Sequence, residues 1–228
     1  VGTEIIADSP NEIMMKVLLS YPELSVESAL RRMCIITSSM HKDAMMALKG
    51  LDADLAREVI DMDDEVDRFS LYIIRQLKAA VEDPNILKET GLSTRRDCLG
   101  YRLITKAVER TADHAVDIAE NISMLKRALD SDLLERVASM STLAISVFNE
   151  TVETLFKRDF QLANKIVRDA KQAALLRKEL MNTILKRTDT GEASSLSLIV
   201  ESITRAAEYA SDIAEIVLNL NIEQILPE

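Results

Sequence analysis

Apolar residues recur at a regular spacing along the stretch from Arg102 to Leu125. Its apolar positions are separated alternately by four and three residues, the spacing of a helix that packs lengthwise against other helices. The pattern therefore predicts a long core helix with one buried seam. The seam positions are Ile104, Val108, Thr111, Ala115, Ile118, Ile122 and Leu125.

Two more helices are predicted before this one. The same periodicity extends from about Val26 to Lys49 and again from about Ala53 to Val81. Ser25 and Asp52 are residue types that cap helix N-termini, and Gly50 suits a C-terminal stop. The first part of the chain is therefore expected to hold three long helices.

The periodicity is interrupted at two places. Residues 1–24 contain two short β-like runs around the turn signal at residues 8–11, which predicts a short hairpin or an extended arm. The segment 82–92 also breaks the helical pattern. Thr94 and Asp97, which follow it, resemble a capping box at the start of the third helix.

The second half of the chain repeats the pattern of the first half. A shift that places Leu55 on Leu162 also places Val59, Val66, Phe69, Ile73 and Leu77 of the second helix on apolar residues, and a shift that places Ile104 on Ile199 does the same for the seam of the third helix. The chain is therefore expected to be an all-α protein of two pseudo-repeated three-helix bundles joined near Asp130. The predicted parts are the β-like arm 1–24, the first repeat 25–129 and the second repeat 130–228.

Charge and composition narrow the classes of function. The net charge is −10 and the isoelectric point is near 4.9, which opposes binding to nucleic acid or to an anionic membrane surface. No apolar run reaches the roughly 20 residues that span a bilayer, and no secretory signal is visible. Cys34 and Cys98 lie in different predicted helices and are expected to be free, buried thiols. We therefore expect a cytoplasmic protein.

Two pairs of acidic residues are the candidate chemistry. Asp63 and Asp67 on the second helix, and Glu109 and Asp113 on the third, are each spaced so that both carboxylates share one helical face. Stacked carboxylates repel one another and need a cation. A bound metal ion is one possibility, since carboxylates suit hard cations, iron and manganese. The alternatives are a solvated acidic face, or neutralisation by nearby Arg102, Lys106 and Arg110.

Signals of catalysis are missing from the sequence. It contains no nucleophile–base pair, no glycine-rich phosphate loop and no Cys/His zinc spacing. The Glu-x-x-His pattern of inward di-iron sites is also missing. His114 lies beside the acidic face, where a surface or interface role is favoured over metal ligation. The protein is therefore expected not to be an enzyme.

The stretch ERTADHAVDIAENI, residues 109–122, resembles the signature helix of the PhoU family of phosphate-uptake regulators. That signature reads roughly E-R-x-x-D-H-A-x-N-I-A-E, and Asp117 stands where Asn is usual. The stretch LDADLAREVIDMDDEVDR, residues 51–68, is similar to the second helix of the family. The two-fold repeat of three-helix units also matches.

The resemblance implies a metal-binding regulatory adaptor that restrains a phosphate ABC transporter or a sensor histidine kinase. Metal ions, often iron or zinc with manganese and magnesium as alternatives, would be held on the bundle surface through acid-x-x-x-acid motifs. Carried over by motif, the ligands are Asp63, Asp67, Glu109 and Asp113, and Asp117 or Glu120 would complete the shell through water. The second repeat has Ala170 and Ala174 opposite the first acidic pair, which argues against a second full site.

Other functions stay open at this point. Some archaeal relatives carry an AbrB-like DNA-binding domain before the PhoU region, and the β-like start of this chain resembles the tail of such a domain. The chain would then be the ligand- or metal-sensing half of a transcription regulator. A metal-dependent hydrolase or a metal store is a third, weaker alternative. A homodimer is expected as well, because the apolar residues of the arm need to be buried.

Overall fold

A computed structural model describes residues 3–9, 12–17, 24–157, 160–187 and 190–220 of the chain. Within these ranges a short antiparallel hairpin precedes a bundle of helices, in agreement with the predicted fold class. The elements are β1 (Thr3–Ser9), β2 (Glu12–Val17), α1 (Val26–Gly50), α2 (Ala53–Glu82), α3 (Pro84–Glu89), α4 (Arg95–Ile122), α5 (Ser131–Lys157), α6 (Phe160–Arg187) and α7 (Thr190–Leu220).

The predicted N-caps set where the long helices begin. The Ser25 hydroxyl accepts a hydrogen bond from the backbone N–H of Ser28, and the Asp52 carboxylate accepts from the first turn of α2. Thr94 and Asp97 form a reciprocal capping box at the start of α4. Such caps satisfy N–H groups that have no partner inside the helix. All three predicted starts are confirmed.

The end of α1 differs from the prediction. Gly50 is still helical, and the left-handed residue is Leu51, with φ 49°. A non-glycine residue in this region costs about 1–2 kcal/mol. The Leu51 side chain packs against the hydrophobic core, which offsets that cost. Core packing, rather than glycine's freedom, therefore decides where the chain turns.

The segment between α2 and α4 contains a helix that the sequence pattern did not predict. Asp83 caps α3, and Pro84 occupies its first position, where a missing N–H is harmless. Gly91, with φ +81°, then redirects the chain towards α4. This insertion distinguishes the first repeat from the second, in which α7 begins soon after α6 ends.

The helices pack as two related sets of three. α4 and α7 contact each other at the centre, with α2 beside α4 and α6 beside α7. α1 packs on α2 and α4, α5 packs on α6 and α7, and α1 also contacts α5. The pseudo-repeat predicted from sequence is therefore a real duplication of packing, joined through α4 and α7.

The predicted core positions are buried. All seven seam residues of the third predicted helix lie in the interior, and so do their counterparts from Ile199 to Val217. The shift that places Leu55 on Leu162 also places Val26 on Leu133 and Met33 on Met140, and all four of these α1 and α5 residues are buried. The first helix therefore takes part in the repeat too.

The predicted arm forms a hairpin in its backbone. β1 and β2 pair antiparallel, with Ile5 opposite Met15 and an irregularity between Ile5 and Ala7. The predicted turn at Pro10 and Asn11 lies outside the described residues, as does the burial of the arm's apolar side chains. Among the described helices, none offers an apolar stretch long enough to cross a lipid bilayer.

Candidate metal centre

The structure brings four predicted site residues together on the outer side of the first repeat. Asp63 and Asp67 come from successive turns of α2, and Glu109 and Asp113 from successive turns of α4. Because α2 and α4 pack side by side, these carboxylates are close enough to affect one another's pKa. We call these four residues the acidic cluster.

Asp63 is the most perturbed member of the acidic cluster. Burial, followed by the charges of Asp113, Asp67 and Glu109, raises the pKa of Asp63 to about 6. Its Oδ1 atom is buried and accepts no hydrogen bond. An unsatisfied buried carboxylate oxygen is costly unless a proton or a cation compensates it.

The pKa values of Asp67 and Asp113 are raised as well. In both residues burial is the largest cause and the charge of Glu109 comes next, while Lys106 acts in the opposite direction. The acidic cluster therefore carries more negative charge than its surroundings neutralise. Mutual repulsion of this kind favours uptake of protons or of a positive ion.

One of the three predicted cations pairs with the acidic cluster. Lys106 Nζ lies 2.5 Å from Glu109 Oε2, one turn along α4. Arg110 instead lies over the Tyr209 ring of α7, 5.9 Å from its centroid, and Arg102 is exposed. The alternative to a metal ion was neutralisation by three cations. In this structure Lys106 is the one of the three that pairs with the acidic cluster.

The two outer predicted ligands have other surroundings. Asp117 Oδ2 lies 2.9 Å from His114 Nδ1, and Glu120 is exposed near the end of α4. His114 also contacts Ser202 and stacks on Tyr209, with ring centroids 5.8 Å apart. His114 is therefore an interface residue between α4 and α7, and Asp117 and Glu120 remain predicted ligands.

The equivalent face of the second repeat has a different chemistry. Ala170 and Ala174 replace the α2 acids, as expected from the sequence. Arg205 pairs with Glu201 and Glu208, and Arg177 of α6 pairs with Glu201 across to α7. We call Arg177, Glu201, Arg205 and Glu208 the Arg–Glu network. Its positive and negative charges already compensate each other.

The donor set of the acidic cluster suits an oxygen-preferring cation. Carboxylates are the ligands of hard divalent ions and of iron and manganese, and the orphaned Oδ1 of Asp63 is an acceptor that a cation would satisfy. No three His, Cys, Asp or Glu side chains of the described ranges are already arranged around one point as ligands. Metal binding would therefore require these side chains to reorient.

Two features of α4 and α7 were not predicted. His114 and Tyr209 occupy matching positions of α4 and α7 under the shift that places Ile104 on Ile199, so the repeat contained the signal that they could meet. Asp212 of α7 also has a raised pKa, caused by burial and by Glu215 and Glu208. No spacing rule indicated its burial.

The fold and the cluster define a two-repeat helical bundle with a surface carboxylate site. The PhoU domain family model matches residues 30–122 and 137–217, one match in each repeat. This chain belongs to the PhoU family. The matched ranges include Asp63, Asp67, Glu109 and Asp113.

Relatives agree with this assignment along most of the chain. The phosphate-specific transport system accessory protein PhoU homolog of Clostridium acetobutylicum is 21% identical over 197 residues, covering 83% of this chain and 88% of that protein. Homolog 1 of Thermotoga maritima is 20% identical over 210 residues, covering 89% and 88%.

Solved structures share the fold. The phosphate transport system regulatory protein PhoU from Streptococcus pneumoniae matches with a TM-score of 0.76 at 18% identity, covering 89% of this chain and 96% of that one. PhoU from Pseudomonas aeruginosa matches with a TM-score of 0.77 at 18% identity, covering 86% and 94%. At this identity the likeness establishes the fold alone.

Proposed function

We propose that this protein is a cytoplasmic accessory regulator of phosphate transport, an adaptor rather than an enzyme. The observation that carries the proposal is the pair of PhoU domain matches, one on each three-helix repeat. Relatives named as phosphate-specific transport system accessory proteins, aligned over most of their length, support it. Its partners would be phosphate ABC transporter components or a sensor histidine kinase.

A genetic experiment tests the regulatory role. Deleting the gene in its own host is expected to raise phosphate uptake when phosphate is plentiful, because the restraint on the transporter is lost. Reintroducing the wild-type gene should restore the lower rate. Labelled phosphate uptake by washed cells is the measurement. Equal uptake with and without the gene, at both high and low phosphate, would contradict the proposal.

The acidic cluster is proposed as a metal site. Asp63, Asp67, Glu109 and Asp113 would supply the oxygens, with Asp117 and Glu120 approached through water. Iron, zinc, manganese or magnesium would fit carboxylate ligands. A bound cation would neutralise the repulsion inside the cluster and tie α2 to α4. The orphaned Oδ1 of Asp63 and the raised pKa values of three of these carboxyls support the proposal.

A titration tests the metal site. The wild-type protein should bind metal saturably in calorimetry and unfold at a higher temperature when loaded. The double variant Asp67→Asn with Asp113→Asn should lose both effects. The matched control is Glu201→Gln with Glu208→Gln, which removes two carboxylates from the second repeat and should leave metal binding intact. The absence of saturable binding to the wild-type protein would overturn the site and leave the regulatory role untouched.

A second candidate function is the sensing half of a transcription regulator. The observation that favours it is the antiparallel hairpin of β1 and β2 ahead of α1. The surroundings of the gene distinguish the two candidates, because an adaptor is expected beside phosphate transporter genes. Binding of the natural full-length protein to its own promoter in a gel-shift assay, weakened or strengthened by metal, would favour the second candidate.

A homodimer is the proposed assembly. The support is the family membership and the apolar composition of the arm. Light scattering at micromolar concentration should give twice the mass of the chain. A monomer mass under those conditions would contradict a dimer without affecting the other proposals.

A further inference from the structure

Within the described residues, Lys106 forms an ion pair with the acidic cluster. Its ammonium lies 2.5 Å from Glu109 Oε2, and the Glu109 side chain is only 17% exposed. A charge-assisted hydrogen bond to a carboxylate that is largely shielded from water is stronger than a surface ion pair. The Lys106 side chain is 39% exposed, so its end has a path to solvent.

The influence of Lys106 reaches beyond its direct partner. Its charge lowers the pKa of both Asp67 and Asp113, against the raising effects of burial and of Glu109. Arg110 on the next turn is directed to Tyr209 instead. Lys106 is therefore the cation that balances part of the cluster's charge when no other ion is bound.

Lys106 and a metal ion compete for the negative charge of Glu109. An ammonium that is hydrogen-bonded to a carboxylate oxygen offsets the charge that would otherwise attract a metal ion to that carboxylate. An ammonium and a divalent cation within a few ångströms also repel each other strongly. The present arrangement, with Lys106 on Glu109, is one in which no three acidic or His side chains of the described ranges converge as ligands.

We propose that Lys106 is a resident counter-ion of the acidic cluster, which a divalent cation must displace from Glu109 in order to bind. Lys106 then sets how tightly the cluster holds metal. The inference rests on the proposed metal site. In it Lys106 weakens metal binding, whereas a ligand would strengthen it. Metal binding would replace the single positive charge of the ammonium beside Glu109 with the two positive charges of the ion.

A titration with Mn²⁺ tests this role directly. Free Mn²⁺ is measured by its electron paramagnetic resonance signal while wild-type protein, Lys106→Met and Lys106→Arg are titrated. Met keeps the length and apolar stem of the side chain and removes the charge. Lys106→Met should bind Mn²⁺ about tenfold more tightly, since the bond to Glu109 no longer has to be broken. Lys106→Arg keeps the charge and should stay close to the wild-type affinity.

Lys165 offers a matched control in the second repeat. Its ammonium lies 2.7 Å from Glu150 and 3.6 Å from Asp169, so Lys165→Met removes the same charge and a comparable ion pair. This variant should leave Mn²⁺ affinity unchanged. An equal gain in affinity for Lys106→Met and Lys165→Met would show a general effect of net charge and overturn the role of Lys106.

Thermal unfolding gives a second readout that does not depend on affinity. Without metal, Lys106→Met should unfold at a lower temperature than wild type because the cluster has lost its counter-ion. With saturating Mn²⁺ the difference should disappear, so the metal-induced rise in Tm is larger in the variant. A variant that is less stable by the same amount with and without metal would overturn the proposal.

The outcomes separate this inference from the metal site itself. Wild-type binding that Lys106→Met leaves unchanged or weakens overturns the role of Lys106 and leaves the site standing. Saturable binding by both proteins that is tighter in Lys106→Met supports the role. Failure of both proteins to bind Mn²⁺, Fe²⁺ and Zn²⁺ overturns the site and the role together.

Discussion

The two repeats share an interior and differ on the outside. Ile73 and Leu180 occupy equivalent buried positions of α2 and α6, and the equivalent seams of α4 and α7 are apolar apart from Thr111. The outer face of the first repeat carries the acidic cluster, whereas that of the second carries alanines and the Arg–Glu network. Packing thus keeps most inner positions apolar in both repeats, whereas the outer positions carry different charges.

The same contrast extends along the edge helices. Residues 54–67 of α2 are strongly acidic, with Arg57 as the one basic residue. The matching residues 161–174 of α6 include Lys165, Arg168 and Lys171 against a single acid, Asp169. The α2 edge of the bundle should therefore attract a cation more strongly than the α6 edge. A shared fold does not imply a shared site.

The largest expected effect concerns the interior, where the repeats should behave alike. Ile73→Ala and Leu180→Ala should each lower the free energy of unfolding by about 2–5 kcal/mol, because a buried cavity replaces the lost side-chain atoms. Chemical denaturation measures the free energy of unfolding of each variant. Leu175→Ala, at an exposed position of α6, is the control and should change stability by less than about 0.5 kcal/mol. A large cost in one repeat alone would show that the equivalence of the two cores is only apparent.

The next effect concerns pH and should be confined to the first repeat. The pKa of Asp63 is about 6 in the folded protein, above its ordinary value of 3.8. The folded state therefore binds the proton more tightly, and this carboxyl lowers stability increasingly as the pH rises from about 4 to about 7. Asp63→Asn should raise the stability of the metal-free protein by about 1 kcal/mol at neutral pH, a figure reduced for the partial exposure of the group, and by nothing near pH 4.

Denaturation at a series of pH values, with chelator present, tests the Asp63 prediction. Glu208→Gln in the second repeat is a suitable comparison, because Glu208 already has Arg205 as a partner. That variant should not become more stable at neutral pH. An unaltered pH dependence of stability in Asp63→Asn would contradict the prediction. It would show that burial and neighbouring charges do not raise the pKa of Asp63 in the folded protein.

The smallest effect concerns the Arg–Glu network. Arg205→Gln removes ion pairs to Glu201 and Glu208, and these side chains are partly exposed. The free energy of unfolding should fall by about 0.5–1 kcal/mol at low salt and by less at high salt, since exposed ion pairs are weak and screened. Equal losses at low and high salt would indicate that Arg205 stabilises α7 by packing rather than by charge.

The interior could be predicted from the sequence because one spacing rule governs it. The steps from Ile104 to Leu125 indicated the buried seam, and the match of Ile104 with Ile199 indicated the repeat. The acidic pairs were equally visible, because the turn of a helix alone aligns Asp63 with Asp67.

Other features depend on contacts between distant parts of the chain. Leu51 adopts a left-handed conformation because its side chain packs on the core, which no local signal reveals. Arg110 and Lys106 look equivalent as neighbours of Glu109 in sequence, yet Arg110 turns to Tyr209 on another helix. Long flexible side chains choose among partners that only the assembled fold provides, so the counter-ion of the cluster could not be identified from spacing.

The stacked rings of His114 and Tyr209 have a consequence for the history of the chain. They occupy the same place in two copies of one unit, and they touch. If a single ancestral unit once paired with itself through this helix, the residue at that place met its own copy across a symmetry axis. Any change there would then have altered both sides at once. Fusion of the copies into one gene would have removed that restriction and allowed an imidazole to face a phenol. The two halves could then diverge in chemistry while remaining joined.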